Sequence, residues 1–351
     1  MSEVIYQKED LPDRFGAMTV KELRQGLRRG LFTVPFMVIQ VLSVLAMVAE
    51  FGMGDVEKFS EMTGVLNPAL FFESGPFWAV AGLVCIIIMP LGGLALMGQE
   101  LDEGNHELLL MTPLTRWRVV RGKFLAMWGL CLVTFFSLLP YLIVRYFIGG
   151  IDVWRNVVMA MSVVMASGII CAGAIGASSF RTNLGKILMM ALFVGSMTLS
   201  WLAPMLASYA RADRCGWIYH LNVLAYFVCY TILGLALARS RIRLVVHHYE
   251  VKPSWMVIGL FIFTPLVVSM ATAMTLGYGG FVGLLGMALV AWFADVTPKA
   301  PSWMPMPQAK LADAPFGADG AVVLPAAEPA DGAVSTANLP AQSGSPPIAP
   351  S

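Results

Sequence analysis

The sequence predicts an all-α integral membrane protein, and three observations carry that reading. The 351-residue chain is 58% hydrophobic and 13% charged, with a mean hydropathy of +0.73, which is too apolar for a soluble domain. Apolar runs of bilayer-crossing length recur along it, separated by short polar links. Lys and Arg are shared unequally between alternate links: with a cytoplasmic N-terminus, 18 fall on that side and 5 on the other, the bias of the positive-inside rule. Both termini are therefore expected in the cytoplasm, with the chain multi-pass in the plasma (inner) membrane. A net charge of +1 suggests neither a nucleic-acid partner nor an acidic ligand.

Residues 1–30 form the first region. Pro12 and Gly16 lie among charges in a loose arm without the short apolar core of a signal peptide. Thr19 and Glu22 then make a T-x-x-E capping box. Val20, Leu23, Leu27 and Leu31 recur at helical spacing against Lys21, Arg24, Arg28 and Arg29, predicting a basic amphipathic helix at the membrane surface.

Residues 31–252 are read as a six-span unit. The first span centres on Val34–Ala49, with Pro35 near its start, and an acidic link over 50–75 follows it on the far side. The second span, about Pro76–Met97, is interrupted by Pro90 and Gly92-Gly93, which free backbone groups and predict a kink. The third, about Phe124–Ile148, has a second candidate kink at Pro140. The fourth to sixth are expected over about 156–178, 187–209 and 217–237. Residues 253–295 add a transmembrane hairpin turning on Gly277-Tyr278-Gly279, which makes eight spans, or six with a re-entrant or tilted hairpin, since its last run is short for a full crossing. Residues 296–351 are rich in Pro, Ala, Gly and Ser and predict a disordered cytoplasmic tail.

Several chemistries find no support. The five cysteines are scattered singly, without CxxC or paired spacing. Gly122-Lys123 and Gly185-Lys186 lack the following Ser or Thr and the upstream glycine of a phosphate loop. If ATP is used, another chain binds it. His247-His248 has no partner at ligand spacing, and the 23 methionines are dispersed over the spans as packing residues, so no metal site is expected. Carboxylates lie in loops or arms, which serves acid–base catalysis poorly. The span interiors are essentially free of Asp, Glu, Lys and Arg, with Glu50 and Arg145 near span ends. That counts against an ion-coupled carrier, which keeps ionisable groups at bilayer depth.

One polar stretch between the second and third spans, Glu100–Lys123, has a pattern of its own. Gly104 breaks the preceding span, Asn105 suits an N-cap, Glu107 suits the first-turn dipole, and Leu108, Leu109 and Leu110 make a short apolar helix. Thr112 and Pro113 restart a helix, followed by Leu114 and by Arg116, Arg118 and Arg121 interleaved with Trp117, Val119 and Val120, before Gly122-Lys123. Two readings stay open from the residues. The stretch projects as two short helices for a partner, or it anchors the third span through Trp117 and snorkelling arginines.

This stretch resembles the loop between the second and third spans of type-2 ABC transporter permeases (ABC-2 type exporters). Glu100, Gly104, Glu107, Leu108–Leu110, Thr112, Pro113, Leu114, Thr115, Gly122 and Lys123 match in order and spacing, whereas Asn105-His106 departs from the pattern. The resemblance covers roughly residues 15–250. It implies a non-enzymatic permease subunit that pairs with itself or a sister permease and binds two copies of a separate ATPase. It also implies ATP and magnesium on that partner and no cofactor on this chain. The stretch is then a coupling element, with Glu107–Arg118 in an ATPase groove and Pro90, Gly92 and Gly93 transmitting or absorbing the movement. The rival classes are a non-transporting membrane scaffold and an ion-coupled secondary transporter.

Overall fold

The computed structural model of the protein describes residues 17–28, 30–52, 64–95, 116–149, 153–180, 182–210, 216–241 and 255–294. Among the described residues eleven helices are numbered in chain order: α1 (Ala17–Arg28), α2 (Gly30–Gly52), α3 (Pro68–Glu73), α4 (Pro76–Leu94), α5 (Arg116–Phe136), α6 (Leu139–Gly149), α7 (Val153–Ser178), α8 (Asn183–Ala210), α9 (Trp217–Arg241), α10 (Trp255–Met274) and α11 (Gly280–Ala294). Among the described residues there is no strand. Seven stretches of the described residues are long and apolar enough to cross a membrane, with α5 and α6 together making one of 31 residues, Trp117–Phe147. At about 1.5 Å per residue the 15-residue α11 falls short of a hydrocarbon core of about 30 Å.

Proline sets where these helices lose regularity. Ahead of Pro90, α4 widens into a π turn over Leu83–Ile88, where Met89 N–H donates to the Val84 carbonyl five residues back. It then tightens to a 3-10 turn over Gly92–Ala95. A wider turn makes room for a ring that has no N–H to give, so the irregularity starts upstream of the proline that demands it. In the third span, Pro140 denies Phe136 its helical donor. The chain breaks at Ser137 and Leu138, where Leu138 N–H reaches the Phe135 carbonyl at 2.9 Å. Ser137 Oγ donates to the Thr134 carbonyl, and Gln40 Nε2 of α2 donates to Ser137 Oγ, both at 2.6 Å.

The predicted hairpin turn is also present. Gly277 N–H donates to the Thr272 carbonyl at 2.7 Å and Leu276 N–H to the Ala273 carbonyl at 3.3 Å, a Schellman arrangement with Leu276 at φ 53°.

The centre of the bundle is the α7–α9 pair. A Cβ on Gly176 would lie 2.7 Å from the Gly234 carbonyl oxygen, and one on Gly234 2.6 Å from the Ala172 backbone. Backbone therefore meets backbone, which is how helices associate when lipid removes the hydrophobic incentive. Around this crossing, α7 packs on α4, α5 and α8, and α9 packs on α11, α10 and α8. The terminal hairpin is thus built onto the fifth and sixth spans. Facing outward on α2 are Val34, Met37, Val41, Leu45 and Val48, all exposed, an apolar surface of the kind a bilayer-embedded helix presents.

The N-terminal arm, the 100–115 part of the polar stretch, the link over 242–254 and the tail lie outside the described residues.

Candidate functional site

The third span is the axis of the site, because the polar stretch feeds into its first turn and its two ends carry the charges. It starts earlier than the sequence reading placed it. Arg116 to Phe136 is one continuous helix, so Arg116–Lys123 is part of the span's own first turns. Gly122 costs such a helix only about 1 kcal/mol, too little to interrupt it. The charge on Lys123 needs no exit to water because it is neutralised inside the protein.

One group that neutralises it is Glu22. Lys123 Nζ donates to Glu22 Oε1 at 3.2 Å, with side chains 1% and 5% exposed. The capping-box reading is corrected here: α1 already begins at Ala17, so Thr19 lies inside the helix, and the Glu22 carboxylate goes to Lys123. An ion stranded in a low-dielectric interior costs several kcal/mol, more than a helix cap returns, so the distant cation wins the carboxylate. One turn on, Gly26 lets α1 close on α5, since a Cβ there would sit 2.7 Å from Leu130 Cδ1. Among the described elements, α1 packs mainly on α5, and also on α2.

Around the same turn, Val119, Val120 and Gly122 are buried, while Arg118 and Arg121 are exposed. Trp117 stands edge-on to Trp292 of α11, ring centroids 4.8 Å apart at 85°. The Arg239 guanidinium of α9 lies 5.7 Å from the centre of the Trp117 ring, within cation–π range. The start of the third span is therefore held by α1, by the sixth span and by the terminal hairpin. Of the other residues singled out from sequence, Glu100, Gly104, Glu107, Leu108, Leu109, Leu110, Thr112, Pro113 and Leu114 fall outside the described residues. In α4, Pro90, Gly92 and Gly93 are buried, and a Cβ on Gly93 would lie 3.2 Å from the Ala174 Cβ of α7.

At its other end the third span carries Arg145, 5% exposed. Its Nε donates to Glu50 Oε1 of α2 at 2.9 Å, and its Nη2 also contacts that oxygen. Nη1 donates to Asn156 Oδ1 of α7 at 3.1 Å, and Nη2 to the Ser74 carbonyl at 2.7 Å. Trp78 Nε1 donates to the same Asn156 oxygen at 3.0 Å, and the guanidinium lies 5.7 Å from the Phe77 ring centre. Gly75 at φ 93° makes this possible, because a Cβ there would press on Glu50 at 3.0 Å. The 64–75 segment is pinned further by Leu66 N–H to Ser162 Oγ and by Tyr219 Oη to the Val65 carbonyl, both at 2.8 Å.

Sequence reading missed Glu22, Arg239, Trp292, Ser74 and Asn156 as partners in these clusters. A signal existed for the first: a lysine between Val119-Val120 and Phe124–Met127 demands a counter-charge, although nothing in the chain says which acid supplies it.

Residues 17–292 match the family model described as ABC-2 family transporter protein, a region that takes in the terminal hairpin. Neither a curated protein nor a solved structure matches the chain.

Proposed function

The chain belongs to the ABC-2 family of transporter proteins and is a permease subunit of an ABC transporter, and on that premise we propose that it converts the ATP-driven closure of a separate ATPase into substrate export. The observation that carries this is the family match over residues 17–292. In this reading the 100–123 stretch faces the cytoplasm and docks in a groove of the ATPase through Glu107–Arg118. ATP and magnesium stay on that partner, and the permease works as a pair with itself or a sister chain. The continuity of α5 from Arg116 into the bundle supports the route: a push that reaches Arg116 enters a helix unbroken as far as Phe136. Exposed Arg118, at the end of the docking segment, and exposed Arg121, just past it, supply basic groups there. The second span, with its π and 3-10 turns around Pro90, takes up the same movement on the stretch's other side.

The test is co-purification with the ATPase encoded beside it, comparing the native chain with the combined variant Leu109→Asp, Arg116→Glu and Arg118→Glu. Loss of the ATPase from the purified complex, with the variant still monodisperse in detergent, is expected. Undiminished association and transport would overturn the proposal.

A further inference from the structure

We propose that Glu22 is a positioning residue acting through Lys123, which joins α1 and the 116–136 arm of the third span into one body that turns at the Ser137–Leu138 break. The proposal rests on the coupling reading above and deepens it by naming the part of the chain that moves.

Three observations carry it. The first is the nearly complete burial of the Glu22–Lys123 pair. Separating its members strands the Lys123 charge in the protein interior, so α1 and α5 are held together against any force smaller than that penalty. The Gly26–Leu130 contact extends the seat, and the interfacial α1 has few other described neighbours to hold it back.

The second is the break. At Ser137–Leu138 the α-helical ladder is replaced by a short turn, and the Gln40 amide of α2 sits on the Ser137 hydroxyl at 2.6 Å. A helix with a proline-broken ladder bends there at less cost than anywhere in its intact turns. The third is what lies beyond: Arg145 is tied at once to α2, to the Ser74 carbonyl and to α7. The segment past the break is anchored in three directions, so displacement entering at Arg116 is absorbed at the break. Lys123, although part of the motif that feeds the span, thus serves the protein's interior. Glu22 sets the pose in which Arg118 and Arg121 are presented.

The chain contains its own reporter for this pose. Cys131 of α5 and Cys171 of α7 lie with Sγ atoms 3.7 Å apart, between Lys123 and the break. In membranes holding the full chain with Cys85, Cys215 and Cys229 changed to alanine, copper-phenanthroline oxidation is followed by the loss of thiols open to a maleimide-polymer after denaturation. Single variants Glu22→Lys and Lys123→Glu are expected to slow cross-linking at least about tenfold. The exchanged pair, Glu22→Lys with Lys123→Glu, is expected to return to within about threefold of the parent. Unchanged rates in the single variants, or an exchanged pair as slow as they are, would overturn the proposal. Should a single variant not accumulate, Glu22→Gln and Glu22→Ala decide: slower cross-linking in alanine than in glutamine supports the pair, and parental rates in both overturn it. ATPase co-purification by the parent chain is scored separately. Its failure removes the coupling reading and leaves the cross-linking result standing.

Discussion

The third span ends in a buried cation at each side, and the two are built differently. Lys123 and Arg145 are 22 residues apart in sequence, about 33 Å at helical rise, close to the thickness of a bilayer core. Arg145 spends its donors on Glu50, Asn156 and the Ser74 carbonyl while facing the Phe77 ring. Lys123 meets Glu22 on a peripheral helix, and the Trp117–Trp292 and Arg239 contacts beside it are aromatic and partly exposed. A planar guanidinium with donors in fixed directions suits a node that must not shift, and a flexible ammonium suits a contact that travels with its partner. The difference teaches that a membrane helix can be fixed at one end and articulated at the other by its choice of cation and neighbours.

Removing the fixed end should cost most. Arg145→Met leaves Glu50 without its cation and the Ser74 carbonyl without that donor, a loss of about 3–5 kcal/mol. The expected outcome is failure to recover monodisperse protein in detergent. Lys123→Met should be milder, about 1–3 kcal/mol, because α1 lies at the edge of the bundle and can carry Glu22 back toward water. A thermal unfolding scan in detergent checks this, and a cost equal to that of Arg145→Met would erase the contrast. Trp292→Ala should cost least, about 1 kcal/mol, by removing the edge-on ring. It should also raise thiol or spin-label mobility at the start of α5 without touching the Arg145 end.

The spans, the break at Pro140, the irregular second span and the hairpin turn were legible in the sequence, because each is local: hydropathy, a missing N–H, a residue that tolerates positive φ. The polar stretch was legible as a pattern through its Gly, Thr-Pro and Gly-Lys spacing. The tertiary pairings were hidden. Glu22 and Lys123 stand 101 residues apart and Glu50 and Arg145 95 apart, and local rules gave Glu22 an available role as a cap. The start of α5 was placed too late for a related reason. Basic residues next to Trp117 read as an interfacial link until burial shows Val119, Val120 and Lys123 facing the bundle.

The most direct test of the account places spin-label pairs at the two ends of the third span, in the full chain assembled with its ATPase and freed of native cysteines. One pair joins Arg121 to Leu184 at the Lys123 end, and the other joins Phe147 to Trp154 at the Arg145 end. All four positions are exposed. On trapping the ATPase in its ATP-closed state, the 121/184 distance should shift by several ångströms while the 147/154 distance holds. A shift at 147/154 as large as that at 121/184, or none at 121/184 with the ATPase bound, would contradict an articulated third span.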